Sequence, residues 1–361
     1  MSNPTRKALL RTAAAAALLL PFAAASSSAN AVSVSVYATG FNDPRGLKFG
    51  PDGHLYVAEG GLGGHNSTVG QCTQVPSTGP GPVTGSPTSG RISKVVNGQR
   101  VTITDQFPSD TTNAKSGNAI SGVADIAFIG DTLYAITAGG GCSHGVANTS
   151  NGVFRVSADG HITEVANLSA FIMANPTAHE EDEDFEPDGT WYSMISLRGA
   201  LYAVEPNHGE LDRITPNGSI SRVADISASQ GHIVPTALAY HGNFYIGNLY
   251  TFPIPGGASK IMKVTPSGYV STVATGLDTV VGLAFDNRDR MYALELTAGK
   301  PGPTPGFGDI VRIDPNGKKT IILSGLHLPT ALTMGPDGAL YVSDWGVGPP
   351  GLGRILKVTG L

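Results

Sequence analysis

Apolar and polar residues alternate with a period of two in short runs, and these runs come in pairs around turn-forming residues. The first pair is GLKFGPDGHLYVAE, Gly46 to Glu59. It returns as DIAFIGDTLYAIT (Asp125 to Thr137), SMISLRGALYAVE (Ser193 to Glu205) and ALAYHGNFYIGN (Ala237 to Asn248), then as GLAFDNRDRMYALE (Gly282 to Glu295) and ALTMGPDGALYVSD (Ala331 to Asp344). Alternation at period two on both sides of a tight turn is the pattern of a β-hairpin. An apolar residue followed by tyrosine stands after each turn, so Tyr56, Tyr134, Tyr202, Tyr245, Tyr292 and Tyr341 mark six units.

A third strand with a basic residue near its centre follows each hairpin: GRISKVV (Gly90 to Val96), GVFRVS (Gly152 to Ser157), ELDRIT (Glu210 to Thr215), KIMKVT (Lys260 to Thr265), DIVRID (Asp309 to Asp314) and RILKVT (Arg354 to Thr359). Turns at Asn97-Gly98, Asp159-Gly160, Asn217-Gly218, Ser267-Gly268 and Asn316-Gly317 then lead into a fourth strand in five units. Four antiparallel strands repeated about every 45 residues predict an all-β fold, a six-bladed β-propeller. The sixth unit ends after its third strand. VSVYATGF at 34–41 lies on VSTVATGL at 270–277 without a gap, so the N-terminal segment is expected to supply the missing strand and close the ring.

The Asp-Gly and Asn-Gly turns all fall between strands one and two or three and four, which puts them on one face of the ring. The irregular segments gather on the other: 60–89, 106–121, 138–151, 167–190, 249–259, 296–308 and 345–353. Long loops on one end of a rigid scaffold are where binding sites reside.

Composition agrees with many short strands: 48 Gly and 25 Pro, and charged residues at only 14%. Arg6, Lys7 and Arg11 precede an apolar run, Ala13 to Ala25, and Ala29-Asn30-Ala31 has the form of a cleavage site. Residues 1–31 are therefore expected to be a secretory signal peptide, and 32–361 one exported domain. The run is too short to span a bilayer, and Pro21 interrupts it. Cleavage takes the formal charge from −5 to −8. With no lysine or arginine cluster, the mature chain is a poor partner for nucleic acid or an anionic membrane. Cys72 and Cys142 are the only cysteines and fall in corresponding loops of adjacent units, which predicts a disulfide in an exported chain.

The whole mature chain resembles the ScyD/ScyE family of secreted propellers. The resemblance rests on DPRGLKFGPDGHLYVAEG from Asp43 to Gly60, the Gly-rich loop with a cysteine, and GPDGALYVSD from Gly335 to Asp344. More distantly the chain is similar to NHL-repeat and gluconolactonase-type six-bladed propellers. The resemblance implies the fold and carries no catalytic residues with it.

One position ends every second strand: Glu59, Thr137, Glu205, Asn248, Glu295 and Asp344. Five of these offer carboxylate or amide oxygens, the hard ligands that calcium prefers. Similarity to lactonases implies a cation near the channel, but those enzymes begin with Glu-Gly-Pro where this chain has Asp43-Pro-Arg-Gly46. The competing reading makes these side chains caps on neighbouring loop backbone. Arg45, Asp125, Tyr192, Thr236, Val281 and Thr330 start the innermost strands at the channel mouth, where Arg45 is expected either to pair with Asp125 or to hold a ligand carboxylate. His232 at the mouth, with His65, His144 and His208 in the loops, are candidates for proton transfer. G-x-S-x-G is absent.

The segment from His179 to Gly189, HEEDEDFEPDG, places Asp184, Glu186 and Asp188 at alternate positions before a glycine, like the opening of a calcium loop. Ile195 stands where the closing glutamate belongs, so the segment is expected to be a solvated acidic loop, with weak calcium binding as the alternative. The function expected from these features is an exported binding or scaffolding propeller holding a small molecule, glycan or protein on its loop face. The alternative is a divalent-metal-dependent hydrolase of the lactonase type. A quinoprotein sugar dehydrogenase is suggested by shape alone.

Overall fold

The computed structural model describes residue 1 and residues 31–75, 82–112, 119–180 and 185–361. Almost all of the expected signal peptide lies outside the described residues, as does Asp184.

Residues 32–361 form six antiparallel sheets, each one blade of a six-bladed propeller. From the centre outward, blade 1 is Pro44–Phe49, Leu55–Glu59, Thr84–Val96 and Gln99–Thr112, with a short fifth strand, Ala119–Ser121. Blades 2 to 5 begin at Val123, Ser193, Pro235 and Val280 and have four strands each. Blade 6 takes Ala331–Met334, Leu340–Asp344 and Gly353–Thr359 from the C-terminal end, and its outer strand, Ser33–Phe41, from the N-terminal end. Val34 stands opposite Val358 and Val36 opposite Leu356, so the ring closes by the strand exchange that the gapless match predicts.

The repeat signature has a direct structural meaning. In all six blades the marker tyrosine is the cross-strand partner of the basic residue on strand three: Tyr56 with Lys94, Tyr134 with Arg155, Tyr202 with Arg213, Tyr245 with Lys263, Tyr292 with Arg312 and Tyr341 with Lys357. In blades 1, 5 and 6 the tyrosine hydroxyl also donates to the aspartate of the first turn, Asp52 at 2.9 Å, Asp286 at 3.0 Å and Asp337 at 3.0 Å. These three tyrosines thus tie their turns to their blades on the short-turn face.

The core is divided. Six apolar clusters lie between successive pairs of blades, for example Ile136, Val153, Met194 and Leu201 between blades 2 and 3, and Leu47, Val57, Tyr341 and Ile355 between blades 6 and 1. Both faces of each sheet are therefore covered, which explains the continuous burial along second strands such as Leu340–Asp344.

Blade 1 departs from the predicted boundaries. Its third strand starts at Thr84 rather than Gly90, and its fourth runs on to Thr112, so part of the expected loop at 60–89 is an extended hairpin rising from the loop face. The Gly, Pro and Ser content of 84–90 hid this strand; pairing with 107–111 creates it, across register shifts near Gly90. The expected loop 167–190 contains a helix, Leu168–Ala174, capped by the Asn167 side chain accepting from the Ala170 N–H at 2.8 Å.

Candidate functional site

The oxygens that end the second strands are turned into the loops. Glu59 accepts from the Asn42 N–H at 2.7 Å, Glu205 from Thr190 at 2.9 Å, Glu295 from Asp278 at 2.8 Å and Asp344 from His327 at 2.7 Å. Asn248 does the same work with reversed polarity, its amide donating to the Ile233 carbonyl at 2.9 Å while its oxygen accepts from the Lys260 N–H at 2.8 Å. Thr137 accepts from the Gly152 N–H at 3.0 Å. All six are buried. Each one holds a loop leading into or out of its own blade, so the shared position is a structural cap.

Remaining carboxylate oxygens are also engaged in blades 1 and 6. Arg91 forks onto Glu59 at 2.9 and 2.5 Å, and Arg354 onto Asp344 at 2.8 Å from both of its nitrogens. Calcium requires six to eight oxygens converging on one point. These oxygens instead bind six separate loops, and among the described residues no group of three or more His, Cys, Asp or Glu side chains is arranged to hold a metal. The donor set at these positions does not fit a shared cation.

Asp125 pairs with Lys48 and not with Arg45. Lys48 Nζ lies 3.1 Å from both Asp125 oxygens, inside a central channel of about 230 Å³ lined by the innermost strands of all six blades. Asp125 also accepts from the Met194 N–H of blade 3 at 2.8 Å, and so links three blades. A Cβ at position 46 would stand 1.8 Å from an Asp125 oxygen, which requires glycine at Gly46. Lys48 carries a sequence signal: it is charged where the other five copies have Ala127, Ile195, Ala239, Ala284 and Thr333.

Arg45 reaches the channel mouth instead. One of its terminal nitrogens donates to the Ile120 carbonyl at 2.5 Å, and its guanidinium acts on Tyr192. Tyr192 extends across the mouth from blade 3 and donates to the Thr330 carbonyl of blade 6 at 2.9 Å. Burial raises its hydroxyl to about 12, so it stays protonated. A cavity of about 100 Å³ remains beside it, lined by Arg45, Thr190, Trp191 and Tyr192 with Ser121, Gly122, Ala124 and Ala138. His232, half-buried before blade 4, does not line this cavity.

The loop histidines divide by environment. His65 is exposed. His144 is buried, with Nδ1 2.5 Å from Asp110 and Nε2 3.6 Å from Glu186. Burial opposes its charge, but the hydrogen bond to Asp110 and the carboxylates of Asp110, Glu186 and Asp188 prevail and lift it to about 9. His208 reaches about 9 in the same way, against burial, through Glu205 and Glu180. Asp188 accepts from both the N–H and the hydroxyl of Ser143, at 2.8 and 2.6 Å. The acidic loop is therefore not simply solvated: Glu186 and Asp188 dock onto the cysteine loop of blade 2, a contact between distant segments that no local pattern announces. Cys72 and Cys142 are bonded, with Cα atoms 6.3 Å apart.

No family model matches the chain, and no curated protein matches it. Solved structures do. A protein of unknown function from Bacteroides thetaiotaomicron has a TM-score of 0.57 at 12% identity over 91% of this chain and 76% of that one. The PQQ-bound aldose sugar dehydrogenase of Streptomyces coelicolor gives 0.55 at 16% identity over 91% and 98%. A gluconolactonase from Xanthomonas campestris gives 0.53 at 12% over 91% and 89%. At such identities the likeness shows the six-bladed fold alone. The ScyD/ScyE resemblance rests on the sequence motifs.

Proposed function

We propose that this chain is an exported propeller that binds a small molecule at the channel mouth on its loop face, and that it is not a metal-dependent hydrolase. One observation carries the choice: the carboxylates a lactonase-type site would use are committed to loop N–H groups and arginines, while the mouth keeps a small cavity with a guanidinium in its wall. The disulfide suits an oxidising compartment, and among the described residues no helix is long and apolar enough to cross a membrane.

Trp191 lines the cavity, and Trp345 is the other tryptophan. A Trp345→Phe protein therefore reports on the mouth by fluorescence. Small polar molecules are expected to shift that emission and to raise the melting temperature, because a ligand that binds only the folded state stabilises it. Calcium from micromolar to millimolar is expected to leave the melting temperature unchanged; a rise would restore the hydrolase.

A further inference from the structure

We infer that the mouth cavity is an anion site that takes a single carboxylate, held by Arg45 and by the indole N–H of Trp191. This rests on the mouth being the binding site and specifies the chemistry of its ligand.

None of the eight lining residues is acidic, and one is a cation. Arg45 uses one terminal nitrogen on the Ile120 carbonyl and also hydrogen-bonds the Tyr192 hydroxyl. A guanidinium carries five N–H groups in a planar fork, so donors remain for a planar two-oxygen acceptor. Trp191 supplies the independent observation. It is 1% exposed, yet Nε1 has no hydrogen-bond partner. A buried N–H without an acceptor costs about 1–3 kcal/mol, so such a group points to a missing acceptor. The benzene edge of the ring, at Cζ3 and Cη2, lies against Gly189, and Trp191 is itself one of the residues lining the cavity.

Of the other polar side chains in the lining, Ser121, Thr190 and Tyr192, the Tyr192 hydroxyl already donates its hydrogen bond to the Thr330 carbonyl. Asp43, the carboxyl that acts on Arg45, is raised to about 7 by burial, with Arg45 working against the rise, so near neutral pH the guanidinium is only partly balanced. At about 100 Å³ the cavity admits a carboxylate and one or two carbons, and any larger ligand must extend into the loops. With one cation among its lining residues, the cavity can neutralise a monoanion but only half of a phosphate dianion.

Calorimetric titration with acetate and L-lactate, against acetamide, L-lactamide and inorganic phosphate, tests this. Carboxylates are expected to bind at least tenfold more tightly than the isosteric amides and than phosphate. Arg45→Gln is expected to lose at least tenfold in carboxylate affinity, Arg45→Lys less, and Trp191→Phe severalfold, with circular dichroism melts confirming that each variant is folded. Amides binding as well as acids, or carboxylate affinity unchanged in a folded Arg45→Gln, overturns the carboxylate assignment and leaves a neutral-ligand site standing. Phosphate binding best overturns the carboxylate assignment in favour of a phosphate site. If no probe of either charge class alters Trp191 fluorescence in the folded Trp345→Phe protein up to 100 mM, roughly the ceiling for weak fragments, the mouth itself is not the site.

Discussion

Blades 1 and 6 differ from blades 3 and 5 at one register position, and the difference shows how a repeat keeps its geometry while its electrostatics diverge. In all four a carboxylate ends the second strand and caps a loop. Its cross-strand partner is Arg91 or Arg354 in blades 1 and 6, but Glu210 or Asp309 in blades 3 and 5. The cap needs only an oxygen at the right height, so selection for the loop leaves the partner free to vary.

The consequences separate the four. In blade 3, burial works against ionising Glu205, but His208 and two backbone N–H donors hold it below the ordinary range. The surplus falls on Glu210 and Asp212, both raised by burial, with Asp212 lifted further by Glu210. In blade 5, among the described residues, only the more distant charge of Lys319 and the Asp278 N–H oppose the rise. Glu295 is raised to about 7 by burial and by the charges of Asp278 and Asp309.

The largest effect is expected at the arginine-paired cap. Glu59→Gln leaves the mostly buried Arg91 without its counter-ion and should cost about 3–5 kcal/mol in urea unfolding. Asp344→Asn should cost less, because Arg354 is 32% exposed. An unchanged urea midpoint for Glu59→Gln would erase the distinction between the two kinds of blade.

His208 comes next. Its folded pKa of about 9 lies above the unfolded 6.5, so its contribution is fully present below about pH 6.5 and is lost as pH rises through 9. At about 1.36 kcal/mol per unit this amounts to about 3 kcal/mol. His144 adds a second slope of the same sign. Melting temperature should therefore fall between pH 6.5 and 9.5, and the fall should roughly halve in His208→Gln.

Glu295→Gln should go the other way. A carboxyl raised from 4.5 to about 7 favours folding when protonated and loses that advantage as pH rises from 4.5 through 7. The variant keeps the oxygen that accepts from Asp278, so it should match the wild type near pH 4.5 and exceed it by about 1–3 kcal/mol at pH 8. A destabilised Glu295→Gln at pH 8 would mean that an unseen cation balances blade 5.

The smallest effect, and the sharpest comparison, comes from Asp309→Arg, which gives blade 5 the partner found in blades 1 and 6. It should stabilise the protein at pH 8 by about 1 kcal/mol and bring the titration of Glu295 down toward 4.5 by NMR.

Much of the architecture could be read from the chain. Six hairpins, the basic third strands, the face carrying the loops, the strand exchange that closes blade 6 and the cysteine bridge all follow from period, turn residues and spacing. The equivalence of the six capping positions was legible too, but whether they served a metal or a loop was not. That choice depends on which way each side chain turns. Lys48 is legible only as a break in the repeat, and of the two roles the sequence leaves open for Arg45, the pairing with Asp125 goes to Lys48 because both cations lie on one strand across from it.

What the sequence determined by itself is whatever repeats: alternation at period two and glycine at positive φ, as at Gly98 and Gly218, act over a few residues and recur in every blade. Tertiary structure decided whatever occurs once. The docking of Asp188 on Ser143, the ion pair of His144 with Asp110, the reach of Tyr192 from blade 3 to Thr330 of blade 6, and the mouth cavity that Trp191 lines together with Arg45 join segments tens to more than a hundred residues apart. Packing of neighbouring blades and closure of the ring bring those segments together, and burial then sets which charges they can keep, so the proposed site is a property of the assembled ring and not of any one blade.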